Sequence, residues 1–219
     1  MAAAGRHAAH CAVPSTSQWA AFLLASLIFI QVPGPSLLFT IGRALTVGRA
    51  EALASVVGNG LGLLVQIVLV AVGLGSLVAA SSTAYTVVKV AGAAYVLWLG
   101  IQAIRHRADA RRSLDAAVPI RRGNPVRIGF TVGVTNPKTI VFFVAFLPQF
   151  TDRSGVVPVQ VLLLGAAFTA LAIASDSLWA LAAGRARDWF ARRPERLDRL
   201  SATGGSMMVG LGVLLLVRD

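Results

Sequence analysis

Apolar residues fall into six runs, at 19 to 42, 53 to 79, 86 to 104, 128 to 149, 156 to 183 and 202 to 217, with polar residues gathered between them. A helical run of about 20 apolar residues matches the hydrocarbon thickness of a bilayer. In lipid every backbone polar group must be satisfied inside a helix or a closed barrel, and these runs are too long and too uniformly apolar for barrel strands. The pattern predicts an all-α, polytopic membrane bundle of six transmembrane helices. The last run is short, and the second and fifth are long enough to tilt or bend. Residues 1–18 then form an N-terminal tail and residues 19–217 a single transmembrane domain.

Two runs are interrupted in the same way. Aligning Pro35 with Pro137 sets QVPGPSLLF in the first against GVTNPKTIVF in the fourth. The halves look related: repeat one spans 19–104, a cytoplasmic linker 105–127, and repeat two 128–217. With three spans each, the second copy runs upside down, the 3+3 inverted repeat of many secondary transporters, with broken helices 1 and 4. Proline cannot donate to the preceding turn but suits the first position of a new helix, and Gly34 and Asn136 are acceptable caps before it. Each restarted half-helix aims unpaired N–H groups and a positive dipole end at the bilayer middle, which attracts a carboxylate. Lys138 adds a cation there. Such groups require a polar cavity rather than acyl chains. The plainer alternative is a pair of proline kinks whose carbonyls are satisfied by neighbouring helices.

Asp176 is the only acidic residue deep within an apolar run. A carboxylate there must be neutral, paired or hydrated. It can receive a substrate ammonium group, take up a proton for coupling, or pair structurally with Lys138 or Lys89. Lys89 stands about one turn inside the third run and is expected to snorkel to the surface. Asn59 and Gln66 fall on nearly the same face of the second helix, lining a cavity or bonding a neighbouring helix. Gly58, Gly60 and Gly62 allow close helix approach.

Composition agrees with the span pattern: 56% of residues are hydrophobic, 13% charged, and the mean hydropathy is +0.74. The net charge of +11 would suit nucleic acid, but the basic residues are confined to short connections. Arg43 and Arg49 lie in 43 to 51, seven arginines in 105 to 127 and six in 185 to 199, whereas 81 to 86 has none and 151 to 155 only Arg153. The positive-inside rule puts the first, third and fifth connections in the cytoplasm and both termini outside. The lone Cys11 forms no disulfide or thiol relay within the chain. The opening tail is too weakly apolar for a signal peptide, so the first run is read as retained. Soluble-enzyme constellations, nucleotide loops and metalloprotease spacings are absent, and no cofactor or metal is expected.

QVPGPSLLFTIGRALTVGRAEAL, the glycine-rich second run, VVKVAGAAYVLWLGIQAIR and especially GFTVGVTNPKTIVFFVAFLPQF resemble the LysE/RhtB family of bacterial amino-acid exporters, the LysE-type translocators, over about residues 18 to 217. The resemblance implies export of amino acids or related small metabolites across the bacterial cytoplasmic membrane, powered by the proton motive force. It places Pro33, Gly34 and Pro35 in the first motif, Asn136, Pro137 and Lys138 in the fourth-span motif, and Asp176 as the fifth-span acid. Where family members often carry a histidine in the second span, this chain has Gly62, Leu63 and Gln66. The expected substrate-binding set is Pro33, Gly34, Pro35, Ser36, Asn59, Gln66, Asn136, Pro137, Lys138 and Asp176, with Asp176 also coupling protons. Partners are an amino-acid substrate and the lipid bilayer; small-residue faces suit intramolecular packing or a homodimer. A divalent-metal exporter and a non-transporting membrane partner are the alternatives. The first would need more ligands than one carboxylate.

Overall fold

The computed structural model describes residues 14–105, 123–152, 155–193 and 195–217, with the side chains of some helical residues, Lys89 among them, outside that description. Every element in it is helical. Helix α1 (Thr16–Gln31) opens with a capping box in which Ser15 accepts from the Gln18 N–H and the Gln18 side chain accepts from the Ser15 N–H. It stops at Val32. After Pro33 and Gly34 the chain restarts as α2 (Pro35–Thr46), bent 53° from α1. Pro35 occupies the first turn and Gly34 the cap, because an N–H missing there costs nothing.

Helices α3 (Arg49–Ala80) and α4 (Ser82–Arg105) follow. Helix α5 (Pro125–Val134) is capped by Asn124, whose side chain accepts from the N–H groups of Val126 and Arg127. The second break, at Thr135 and Asn136, leads into α6 (Pro137–Phe146) and a 3-10 turn (Leu147–Phe150), 48° from α5. Helices α7 (Val157–Arg192) and α8 (Glu195–Val217) complete the chain. Both breaks fall where the prolines predict them. The long second and fifth runs are each one continuous helix.

One sequence expectation is corrected. Arg43, assigned to a polar connection, lies inside α2, which continues to Thr46, and only 5% of it is exposed. The connection shrinks to Val47 and Gly48, the latter at φ 101°, a conformation that glycine adopts without a steric penalty.

Glycines set the closest packing. A Cβ on Gly58 would strike the Val126 carbonyl oxygen, one on Gly129 the Ser55 carbonyl and one on Gly133 the Asn59 carbonyl, so α3 and α5 run parallel with backbones in contact. Gly100 of α4 and Gly205 of α8 approach each other in the same manner, each carbonyl 2.7 Å from the Cβ position of the other. Small residues at four-residue spacing are the usual device for joining helices in lipid, where apolar burial alone gives no preference for helix over lipid. Seven phenylalanines, Phe22, Phe29, Phe142, Phe143, Phe146, Phe150 and Phe168, join α1, α6, the 3-10 turn and α7. By length and composition α3 and α7 can each cross a membrane, and so can each bent pair if taken as one span. Large apolar side chains on α3 such as Val57, Leu61, Leu69 and Val72 face outward, as a lipid-exposed surface requires.

Candidate substrate cavity

Lys138 is carried one residue into α6, and Pro137 and Asn136 determine its direction. Its ammonium donates to the carbonyl oxygens of Phe29 at 2.9 Å and Val32 at 2.7 Å, and sits 4.3 Å from the centre of the Phe29 ring. Phe29 lies in the last turn of α1 and Val32 caps it, at the negative end of the dipole; the Phe29 carbonyl also accepts from the Val32 N–H at 3.3 Å, whereas the Val32 carbonyl lies beyond the helical ladder. Lys138 therefore closes the broken end of α1 from more than 100 residues away. Gly34 makes room for it: a Cβ there would come 2.9 Å from Lys138 Cδ.

The second break is held by Gln66. Pro137 has no N–H to offer the carbonyl four residues back, that of Gly133, and Gln66 Nε2 donates to it at 2.7 Å. The same group lies 3.1 Å from the Val134 carbonyl and 3.4 Å from that of Asn136. Gln66 is thus a positioning residue behind the break, outside the cavity wall. Gln66→Leu keeps the volume and removes the donor, leaving the Gly133 carbonyl with only the 3.3 Å bond from the Asn136 N–H and the Val134 carbonyl without the bond from Gln66, at a cost of about 1–3 kcal/mol. The variant is expected to melt several degrees below the parent in detergent; an unchanged melting temperature would show that the break holds without it.

Asn136 joins the two breaks. Its side-chain oxygen accepts from the Lys138 N–H at 3.0 Å, capping α6, while Nδ2 donates to Ser36 Oγ at 2.7 Å. Ser36 in turn donates to Asn59 Oδ1 at 3.2 Å. One hydrogen-bonded chain therefore runs from α6 through α2 to α3. The two half-helix ends differ: α6 is capped by Asn136, but Gly34 offers no side chain, so the first-turn amides of α2 lack a side-chain cap.

Between these elements lies a cavity of about 40 Å³, room for a few water molecules. Gly34, Ser36, Asn59, Asn136, Lys138, Thr139 and Asp176 supply its polar wall, and Phe29, Ile30, Val32, Leu37, Leu63, Phe168 and Ala172 its apolar wall. Asp176 is 4% exposed and comes from the middle of α7. It shares the cavity wall with Lys138, whose ammonium is directed to the α1 carbonyls. Of the expected set, Gly34, Ser36, Asn59, Asn136, Lys138 and Asp176 meet at the cavity. Gln66, Pro33, Pro35 and Pro137 do not line it; Pro35 and Pro137 are exposed at the starts of their helices and Pro33 is half-buried between α1 and α2.

Several contributors escape a reading by run and motif. Thr139 lines the cavity and donates to the Asn136 carbonyl at 3.1 Å. Gln31, at the end of α1, donates to Ser175 at 2.8 Å and accepts from Trp179 Nε1 at 3.1 Å, tying α1 to α7 beside Asp176. Their signal in the sequence is a polar residue within an apolar run. Among the described residues no three His, Cys, Asp or Glu side chains lie together in a way that could hold a metal ion.

The family described as LysE type translocator matches residues 27–219. An uncharacterized membrane protein of Vibrio cholerae is 37% identical over 198 residues, covering 90% of this chain and 95% of its own. A homoserine/homoserine lactone efflux protein of Salmonella typhimurium is 36% identical over 197 residues, with the same coverage of 90% and 95%. A leucine efflux protein of Klebsiella pneumoniae is 28% identical over 152 residues, 69% of each chain. No solved structure matches the chain. With a family match across most of its length, and the two proline breaks of its motifs joined at one cavity, the chain belongs to the LysE type translocators.

Proposed function

We propose that this protein is a secondary transporter that exports amino acids with uncharged side chains from the bacterial cytoplasm, driven by the proton motive force. The observation that carries this reading is one cavity holding a cation, an anion and an apolar wall at the junction of two broken helices. A zwitterion needs both charges met. Its carboxylate suits the uncapped α2 amides beside Lys138, its ammonium suits Asp176, and the phenylalanine and leucine side chains suit an uncharged side chain. The names of the relatives, homoserine, homoserine lactone and leucine efflux, agree with that class.

The two breaks, with similar bends of 53° and 48° and each with a proline at its restart, support a six-span, 3+3 inverted repeat in which α4 and α8 are the third and sixth spans. The arginine-rich connections support a cytoplasmic position for the ends of α2 and α7 and the starts of α3 and α5. A cavity of about 40 Å³ is smaller than the ~150 Å³ that accepts benzene, so loading requires the surrounding helices to move apart. Proton coupling is assigned to Asp176, which can hold a proton or a substrate ammonium but not both.

Export of radiolabelled leucine and homoserine from preloaded cells tests the reading. Asp176→Asn keeps the shape and removes the charge, and is expected to lower the initial efflux rate at least about tenfold, as loss of a charged contact of ~1.4 kcal/mol or more requires. Parental rates in Asp176→Asn would remove the site. Absence of efflux for every amino acid tried would remove the activity.

A further inference from the structure

Arg43 is a buried cation that neither the fold nor the central cavity uses fully. Its side chain is 6% exposed, yet its ion pair to Glu51 is a single contact of 3.4 Å, and half of the Glu51 side chain is exposed. Its Nε has no hydrogen-bond partner. Its other polar-to-aromatic contact is the Phe39 ring, 5.9 Å away. A guanidinium offers five N–H donors in a fork that matches a carboxylate through two parallel bonds. A structural arginine in so enclosed a place would be expected to hold its acid close and saturated; this one holds a half-solvated acid at arm's length.

Its place in the bundle is equally specific. Ser36, Thr40 and Arg43 stand at four- and three-residue steps on one face of α2, while Glu51, Ser55 and Asn59 stand at four-residue steps on α3. The antiparallel pair is joined at both ends of these rows, by Ser36–Asn59 in the cavity and Arg43–Glu51 about 10 Å further along α2. Thr40, Ser55 and Asn59 are each at most 3% exposed, and the Thr40 hydroxyl has no partner. A buried polar seam thus runs from the cavity to Arg43.

The fully buried side chains beside the seam are small, with Leu45 and Leu53 partly buried against them. Ala44, Ala52, Ala180 and Ala183 form a separate cluster where α2, α3 and α7 meet. The Phe29 wall of the cavity is instead backed by stacked rings, with Phe29 and Phe142 centred 4.0 Å apart and Phe142 and Phe146 4.4 Å apart. Small side chains and a displaceable ion pair open more readily than interlocked aromatics.

We propose that Arg43 is a loading site for the carboxylate of the amino-acid substrate on the cytoplasmic side, occupied before the central cavity, and that Glu51 holds the place of that carboxylate when no substrate is present. This rests on the export reading. The incoming carboxylate displaces Glu51 from Arg43 into solvent, and the substrate then passes between α2, α3 and α7 to Ser36.

Inside-out membrane vesicles present the cytoplasmic face to a controlled substrate concentration. In uptake of radiolabelled leucine, Glu51→Gln removes the competing carboxylate and should lower the apparent KM severalfold. Arg43→Gln should raise it about tenfold, with Arg43→Lys in between. An ion pair of merely structural value would give equal losses in Glu51→Gln and Arg43→Gln, which would overturn the proposal, as would an unchanged KM in both. A second readout needs no transport: Ser36→Cys, in a Cys11→Ser background, is treated with a membrane-impermeant maleimide. Labelling in inside-out vesicles, faster when Glu51→Gln is added, is expected. Labelling only in right-side-out vesicles would overturn the route even if leucine is carried. Should the parent carry no amino acid while labelling behaves as expected, the export reading fails and the cytoplasmic path stands.

Discussion

Lys138→Met is expected to abolish efflux and to destabilise the protein by about 1–3 kcal/mol, because the Val32 carbonyl loses its donor and the Phe29 carbonyl keeps only the 3.3 Å bond from the Val32 N–H, while the methionine still fills the space. The loss of charge also leaves Asp176 as a buried carboxylate with no compensating cation in the cavity. Adding Asp176→Asn to Lys138→Met should recover part of the stability, by removing that charge, and none of the transport. Thermal unfolding in detergent, with leucine efflux measured on the same variants, separates the two roles. Efflux retained in Lys138→Met would show that the ammonium serves only to close α1. A double variant no more stable than the single one would show that the two charges do not depend on each other.

Gly129→Val should prevent accumulation of folded protein. A Cβ at that position falls on the Ser55 carbonyl oxygen, so α5 can accommodate a side chain only by separating from α3. Overpacking commonly costs about 1–3 kcal/mol, and more where the obstacle is backbone that cannot change rotamer. The consequence reaches the cavity as well, because the break at Asn136 hangs from the end of α5. Displacing α5 strains the 2.7 Å bond from Asn136 to Ser36 and the 2.7 Å bond from Gln66 to the Gly133 carbonyl. Gly73→Ala is the control: nothing stands within 4 Å of its Cβ position, and a helical glycine replaced by alanine gains about 0.5–1 kcal/mol in the absence of a clash. Yield of monodisperse protein after gel filtration reads the difference. Equal yields from the two would mean that α3 and α5 are not in backbone contact.

The aromatic cluster and the glycine contacts do different work. The rings fill the half of the bundle between α1, α6 and α7, whereas the glycines bring α5 against α3 and α8 against α4 without filling anything. A carrier that must open on one side and then on the other requires a seal that can part and a frame that stays together. On the export reading, backbone contact, which admits no side-chain adjustment, suits the frame, and side chains suit the seal.

Local chemistry was enough to place both interruptions. A proline within an apolar run has no hydrogen to donate to the previous turn, and that defect exists before any tertiary contact forms, so Pro35 and Pro137 mark the restarts of α2 and α6 from composition and order alone. The same holds for the helical class, for Asp176 as the isolated acid, and for the family membership carried by the motifs. Which partner answers each defect is a different matter. That Gln66 replaces the N–H missing at Pro137, that Lys138 closes α1 instead of standing free beside its own helix, and that Asn136 reaches Ser36 at the other break depend on residues 67, 109 and 100 positions apart. Arg43 shows the limit most plainly. Spacing places it at a connection among other arginines, and only the continuation of α2 against α3 and α7 turns it inward, because burial is a property of the surface a residue meets and not of its neighbours in the chain.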